Sequence, residues 1–277
     1  DHWKSVEKIN PQAIANFPTF CLIHSKEINH LKGSTLNKRV LNSISKVDYI
    51  IANSNFTKNL GISIGIPEKN IYIIHPGCDD PEKIESKFQE QAENIFKNSF
   101  PKILTVARLD KRKNHQSILM CIRNLKEKYP NIKYVSIGEG EEKKKLLSLV
   151  KELKIENEVV ILNNIDQKLK VALIKNSNLF LMPSIKFKKS VEGFGISFIE
   201  AASYGVGSIG GQEGGARDAI DEEKTGLICD GENINSIYES ILKFFENENY
   251  KEYGKNALNF SKNFTWNKII KKYLNLI

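Results

Sequence analysis

Two acids, Glu192 and Glu200, stand on either side of a Gly193-Phe194-Gly195 bend that runs into the apolar stretch Ile196 to Tyr204. Ionised carboxylates accept hydrogen bonds and donate none, which suits such a pair to the hydroxyls of a ribose or hexose rather than to phosphate. The glycines allow close backbone approach, and N–H groups at a helix start make an anion site beside the acids. Together they fit a sugar nucleotide. Taken alone, the same residues read equally well as a surface loop acid and a solvated helix acid. A second set lies upstream, where Arg108 follows the apolar run Lys102 to Ala107 and Lys113 stands five positions further on. A guanidinium fork and an ammonium point charge can clamp a diphosphate from two directions. An ordinary basic loop is an equal alternative on spacing, and Lys111 and Arg112 read as incidental positive charge.

Both sets need strand ends to hold them. From Pro101 onward, KILTVA, IKYVSIG, EVVIL, NLFLMPS and GVGSIGG have the continuous Ile/Leu/Val character of buried parallel strands. Helix-period segments separate them at His115–Lys128, Glu141–Leu153, Gln167–Ile174 and Ile196–Tyr204. The alternation predicts a doubly wound, Rossmann-like domain over 101–262, with its ligand at the strand carboxyl ends. FCLIH, VDYIIA and IYIIH, with helices near Leu36–Ser45 and Phe56–Gly61, predict a smaller α/β unit over 1–82. The charged stretch 83–100 shows no strand signal and is expected to connect the two. The terminal segment 263–277 reads as an amphipathic helix, with Trp266, Ile269, Ile270, Tyr273 and Leu274 on one side, that docks back toward the first unit.

Composition sets the outer bounds. The 277 residues suffice for two domains, and 40% of them are hydrophobic. No run of about 18 apolar residues is present to cross a bilayer. The net charge of +8, from 41 Lys and Arg against 33 Asp and Glu, favours phosphates, anionic lipid or nucleic acid as partners. Nucleic acid is disfavoured, because the nine Tyr and 14 Phe fall largely at core-like positions rather than as stacking platforms. The scattered Cys21, Cys78, Cys121 and Cys229 form no C-x-x-C pair and read as reduced thiols of a cytosolic protein. No Asp-x-Asp and no His/Cys cluster at ligand spacing appears, so neither a metal nor a cofactor is expected.

In combination the motifs are specific. VDYIIANSNFTKN with GIPEKNIYIIHPGCD, then ARLDKRKNH, then VSIGEGEEKKKL, then LMPS…VEGFGISFIEAASYGVGSIGG…GG stand in family order and spacing. The chain resembles the retaining family four glycosyltransferases, nearest to the GDP-mannose-dependent mannosyltransferases that act on phosphatidylinositol. The resemblance implies a GT-B fold, α/β with two Rossmann-like domains facing a cleft, of which the first is expected to be incomplete. It implies that Arg108 and Lys113 hold the donor diphosphate, that Glu192 contacts hydroxyls of the transferred sugar, and that Glu200 holds the ribose. It further implies backbone contacts from Gly193, Phe194, Gly195 and Ile196 to the donor, and a nucleobase border at Gly138 and Asn164. His24, with Glu27 nearby, would face the sugar from the first domain; His75 and His115 are taken as non-catalytic. The chain departs from the family pattern at Gly205-Val206-Gly207, where Gly-Val-Pro is usual, and at GGARDAI, where Gly-x-Pro-Glu is usual.

The expected reaction is transfer of a hexosyl group from a nucleoside-diphosphate sugar to a glycan or lipid-linked acceptor, with retention and without metal. The enzyme would be cytoplasmic, with peripheral contact at the inner membrane face left open. A non-hydrolysing nucleotide-sugar epimerase and a donor-binding fragment without turnover are the alternatives.

Overall fold

The computed structural model describes residues 2–10, 12 and 16–277. Three parallel strands, β1 (Phe20–Ile23), β2 (Tyr49–Ala52) and β3 (Ile71–Ile73), form the first sheet in the order β1-β2-β3. Their side chains alternate between two cores, as the period of a strand requires. Cys21, Ile23, Ile50 and Ala52 pack with Val40 and Ile44 of the helix Thr35–Ile44, and with Trp3 and Val6 of Trp3–Glu7. On the opposite face Ile51 packs with Ile74 and with Ile269 of the terminal helix Trp266–Leu274, and Phe20, Leu22 and Tyr49 lie beside them.

The second sheet holds six parallel strands: β4 (Lys102–Val106), β5 (Lys133–Ile137), β6 (Val159–Leu162), β7 (Leu179–Met182), β8 (Ser208–Gly211) and β9 (Gly226–Cys229). Their order is β6-β5-β4-β7-β8-β9, with β4 and β7 adjacent at the centre. Helices cover both faces, so the central strands bury both sides, and Leu179, Phe180, Leu181 and Met182 are all fully buried. One core contains Ile118, Ile122 and Leu125 of His115–Lys128 together with Ile237, Ile241 and Phe244 of Ile234–Phe245. The other contains Ala172, Leu173 and Ile174 of Gln167–Asn176 and Phe198 and Ile199 of Ile196–Ser203.

The stretch 83–100 does more than connect. Its helix Ser86–Phe96 buries Phe88, Ala92 and Phe96 in the second core, and its Gln89 exchanges hydrogen bonds with Asn176. Those residues belong to the second unit. All four cysteines are free, and burial pushes the thiols of Cys21, Cys121 and Cys229 up to about 12. No helix is long and apolar enough to cross a membrane among the described residues.

Candidate active site

Strand order in the second sheet reverses between β4 and β7, so the loops leaving those strands part and open a crevice at the carboxyl edge. The loop after β4 carries Arg108 to Lys113, and the loop after β7 carries Ile185 to Gly195. Across the crevice they meet at Glu192. The Lys113 ammonium bonds the Glu192 carboxylate, and Arg112 Nη1 donates to Glu192 Oε2 at 2.9 Å. The three side chains are only 10 to 12% exposed. Burial alone would raise the Glu192 carboxyl, but Lys113 and Arg112 outweigh it and hold the group below the usual carboxylate range. Lys113 is depressed by burial, with Glu192 opposing and Arg112 adding to the shift. Two cations against one anion leave a buried excess of positive charge.

Arg112 was read from sequence as incidental, and the structure places it inside the cluster. Arg108 lies outside it, 70% exposed and paired with Asp110 at 2.7 Å. Asp110 also caps the short 3-10 turn Lys111–Lys113 by accepting from the Lys113 N–H at 3.2 Å. One acid therefore ties Arg108 to the turn that aims Lys113. Gly138, expected at the nucleobase border, packs its α-carbon against the Ala107 carbonyl, where an added Cβ would lie 1.9 Å from the oxygen. Leu109 N–H donates to Glu139 O at 2.8 Å, so the two loops run as one ledge. Asn164 is exposed, at a left-handed backbone position with φ 47°.

His115 supports the ledge from below. Its Nε2 donates to the Arg108 carbonyl at 3.2 Å, and Nδ1 lies 3.2 Å from the Tyr134 hydroxyl. Burial lowers its pKa to about 4. Between pH 6.5 and 4 the unfolded chain binds a proton at this residue that the native state refuses. Its contribution is therefore complete above about 6.5 and is lost as pH falls toward 4, at a cost of about 3 kcal/mol. Denaturant titrations of wild type and His115→Gln over that range should show a shallower pH slope in the variant. Parallel slopes would remove this role.

Gly195 begins the helix Ile196–Ser203 in the left-handed region, φ 89°, which glycine adopts without strain. In its first turn the Phe198 N–H already donates to the Gly195 carbonyl at 2.9 Å, which leaves the N–H groups of Ile196 and Ser197 as those able to take an anion. Ile196 is partly exposed beside them. Phe194 is buried, with its ring stacked on His75 at 5.1 Å and tilted against Phe264 at 5.7 Å. Glu200 lies apart from Glu192. It bonds the Lys170 ammonium and lines a cavity of about 290 Å³ with Ile196, Cys78, Asp79, Tyr204 and Trp266.

The first unit reaches the same loop. His24 is exposed after β1, with Nδ1 3.2 Å from Asn53 Nδ2. That nitrogen in turn sits 3.0 Å from where a Cβ on Gly193 would stand. Ser25 Oγ donates to Val191 O at 3.4 Å. Asp218 fastens the units together by accepting from the Asn55 N–H at 2.6 Å and its Nδ2 at 3.0 Å. Asn53 Oδ1 and Arg112 Nε, one from each unit, are buried without a hydrogen-bond partner. Among the described residues no group of three or more His, Cys, Asp or Glu could hold a metal ion.

Asn53, Arg112, Lys170 and Asp218 were not among the sequence candidates. Each earns its place through a contact between chain segments far apart, a signal that spacing does not carry.

Comparison with known proteins bears on the fold and the family. A solved structure of the Anabaena protein HepE in complex with UDP superposes with a TM-score of 0.84 at 18% identity, covering 99% of this chain and 77% of that one. The fold is thus that of the GT-B glycosyltransferases. An uncharacterized glycosyltransferase of Methanocaldococcus jannaschii is 28% identical over 254 residues, 89% of this chain and 62% of its own length. A GDP-mannose-dependent alpha-(1-6)-phosphatidylinositol monomannoside mannosyltransferase of Mycobacterium tuberculosis is 23% identical over 200 residues, 71% of this chain and 52% of its own length. The chain therefore spans between half and two thirds of the length of these relatives. Residues 86–260, from the helix inside the former connector to the end of the second unit, match the family described as glycosyl transferases group 1, and the chain belongs to that family.

Proposed function

We propose that the chain forms the donor-binding side of a retaining glycosyltransferase, which moves a hexosyl group from a nucleoside-diphosphate sugar to a hydroxyl of a glycan or lipid-linked glycan. The observation that carries this reading is the buried Arg112–Lys113–Glu192 cluster at the strand-order reversal, beside an N-terminal helix end. On this reading Lys113 and Arg112, joined by Arg108 swinging from Asp110, stabilise negative charge on the departing diphosphate. Such preorganised charge acts strongly where water is excluded. Glu192 then orients sugar hydroxyls, Glu200 holds the ribose after exchanging Lys170 for it, and His24 borders the sugar from the first unit. Cations of the protein take the part that a divalent ion would play, so transfer runs without metal.

Family membership favours this over the epimerase reading. The acceptor is proposed to be lipid-linked by analogy with the mycobacterial relative, whose name specifies a phosphatidylinositol mannoside. Titration with UDP, GDP and ADP sugars in excess chelator tests the donor reading, and proton NMR of the product's anomeric centre tests retention. One donor should bind and turn over with the chelator present. Turnover that returns only on adding Mg²⁺ or Mn²⁺ would exclude the metal-free mechanism, and donor binding without turnover would leave a binding unit alone.

A further inference from the structure

Beside the Glu192 cluster lies a second cavity, of about 290 Å³, bordered by Lys26 of the first unit and by Arg108, Lys111, Arg112, Phe187 and Ser190 of the second. It shares no residue with the cavity that contains Glu200. Four cations and two acids, Asp110 and Glu141, line it, an excess of two positive charges. Asp110 is already taken by Arg108 at 2.7 Å, and Arg112 by Glu192 at 2.9 Å. Lys26 and Lys111 pair with no carboxylate among the described residues, so their charge is free for a ligand.

One wall is a hairpin, 185–190, that both units hold in place. Phe187 and Ser190 exchange backbone hydrogen bonds at 3.0 and 2.9 Å, and the Ile185 N–H donates to the Arg112 carbonyl at 2.9 Å. From the first unit, Asn29 Nδ2 donates to the Lys189 carbonyl at 3.1 Å. The Phe187 ring lies under two ammonium groups, Lys111 at 5.3 Å and Lys188 at 5.5 Å from its centroid, which holds Lys111 at the cavity's edge. The hairpin adds Lys186, Lys188 and Lys189 to the same region and carries no acid.

We propose that this cavity receives a phosphate carried by the acceptor, so that the hydroxyl to be glycosylated belongs to a phosphate-bearing molecule rather than to a neutral glycan. The assignment to the acceptor rests on the transferase reading above. Lys26 stands two residues after His24, and Ser190 two residues before Glu192, so the cavity adjoins both side chains proposed to touch the transferred sugar. Glu200, Gly138 and Asn164, proposed at the ribose and base, are not among its lining residues. Charge selects the class of ligand. A phosphate ester carries up to about two negative charges at neutral pH, which matches the excess of the lining, whereas a carboxylate would neutralise half of it. Ammonium and guanidinium groups arriving from both units are suited to an anion with several acceptor oxygens.

The test uses the 277-residue chain loaded with a saturating nucleoside diphosphate, which fills the donor site, and isothermal titration with two phosphate probes. Glucose 6-phosphate represents a free phosphosugar, and phosphatidic acid in neutral detergent micelles represents a lipid phosphate; glucose and diacylglycerol are their neutral controls. At least one phosphate probe should bind the loaded chain about tenfold or more tightly than its control, and the tighter of the two identifies the source of the phosphate. Lys26→Glu and Lys111→Gln should each weaken that binding by about tenfold, with thermal midpoints unchanged because both side chains are exposed and unpaired. Lys26 lies outside the proposed donor cations, so its variant should keep the affinity for the nucleoside diphosphate. Binding of both probes weaker than about 10 mM, binding abolished by nucleotide loading, or binding untouched by both variants would overturn the proposal. A nucleoside diphosphate that does not bind would count against the transferase reading instead, and the same probes on the unloaded chain then test the cavity.

Discussion

Glu192→Ala should lower the unfolding free energy by about 3–5 kcal/mol, the scale seen when one partner of a buried ion cluster is removed. The size follows from what stays behind. Lys113 and Arg112 are each about one tenth exposed and would face one another with no carboxylate between them. The variant should also separate the two halves of donor recognition. Freed cations still attract a diphosphate, so nucleotide affinity should persist, while the increment contributed by the sugar and the transfer rate should both fall. Acid should mimic part of this effect. The native carboxyl sits below its unfolded value, so the stability it contributes is present above the ordinary carboxylate range and is lost as pH falls through the lowered one. Chemical denaturation of wild type and Glu192→Ala checks the first expectation, and titrations with a nucleoside diphosphate and its sugar check the second. A variant as stable as wild type would mean that the cluster is solvated and flexible rather than built.

Gly215→Ala should be nearly as damaging, although residue 215 touches no proposed substrate. Gly215 N–H donates to the Glu192 carbonyl at 2.9 Å, and a Cβ at 215 would fall 2.1 Å from the Gly193 carbonyl oxygen. Neighbouring Gly214 is held at φ 101°, with its own Cβ position 2.3 Å from the Glu192 oxygen. Backbone cannot yield as a long side chain can, so the Glu192–Gly193 peptide must move out of the cluster. A loss of at least about 2 kcal/mol of stability and about a hundredfold in transfer is expected, because small displacements of positioning groups cost that much. The loop holding these glycines departs from the family's usual Gly-x-Pro-Glu, and its rigidity comes instead from these close approaches and from Asp218 bonded to Asn55. Measuring kcat and thermal midpoint together checks the claim. An unchanged kcat would show that Glu192 tolerates the shift.

How much of this was legible beforehand depends on the distance over which each feature is determined. The helix His115–Lys128 could be read because Ile118, Leu119, Ile122 and Leu125 recur at helical spacing within it. The strands around Leu104, Val135 and Phe180 could be read because burial on both faces makes them continuously apolar. Strand β9 escaped, since Gly226–Cys229 is only four residues long and gains its identity by pairing with Ser208–Gly211. The helix Ser86–Phe96 was hidden by charge, because its three buried residues are a minority in an otherwise polar stretch. In the site, Glu192 and Lys113 were visible through motif spacing. Arg112 was not, because a partner 80 residues away separates it from the exposed Lys111 beside it. The pairing of Glu200 with Lys170, across 30 residues, was hidden for the same reason.

The central claim is that a donor diphosphate sits at the β4–β7 crevice on the cations of the ARLDKRK loop. Arg108 provides the most direct test, because its side chain is exposed and its removal should leave the fold intact. Isothermal titration of wild type, Arg108→Ala and Lys113→Ala with the donor that binds wild type should show affinity losses of about 1.5–3 kcal/mol in each variant, roughly ten- to hundredfold. The Arg108→Ala thermal midpoint should match wild type. Isotherms for both variants superimposable on the wild type would place the diphosphate elsewhere and contradict the account.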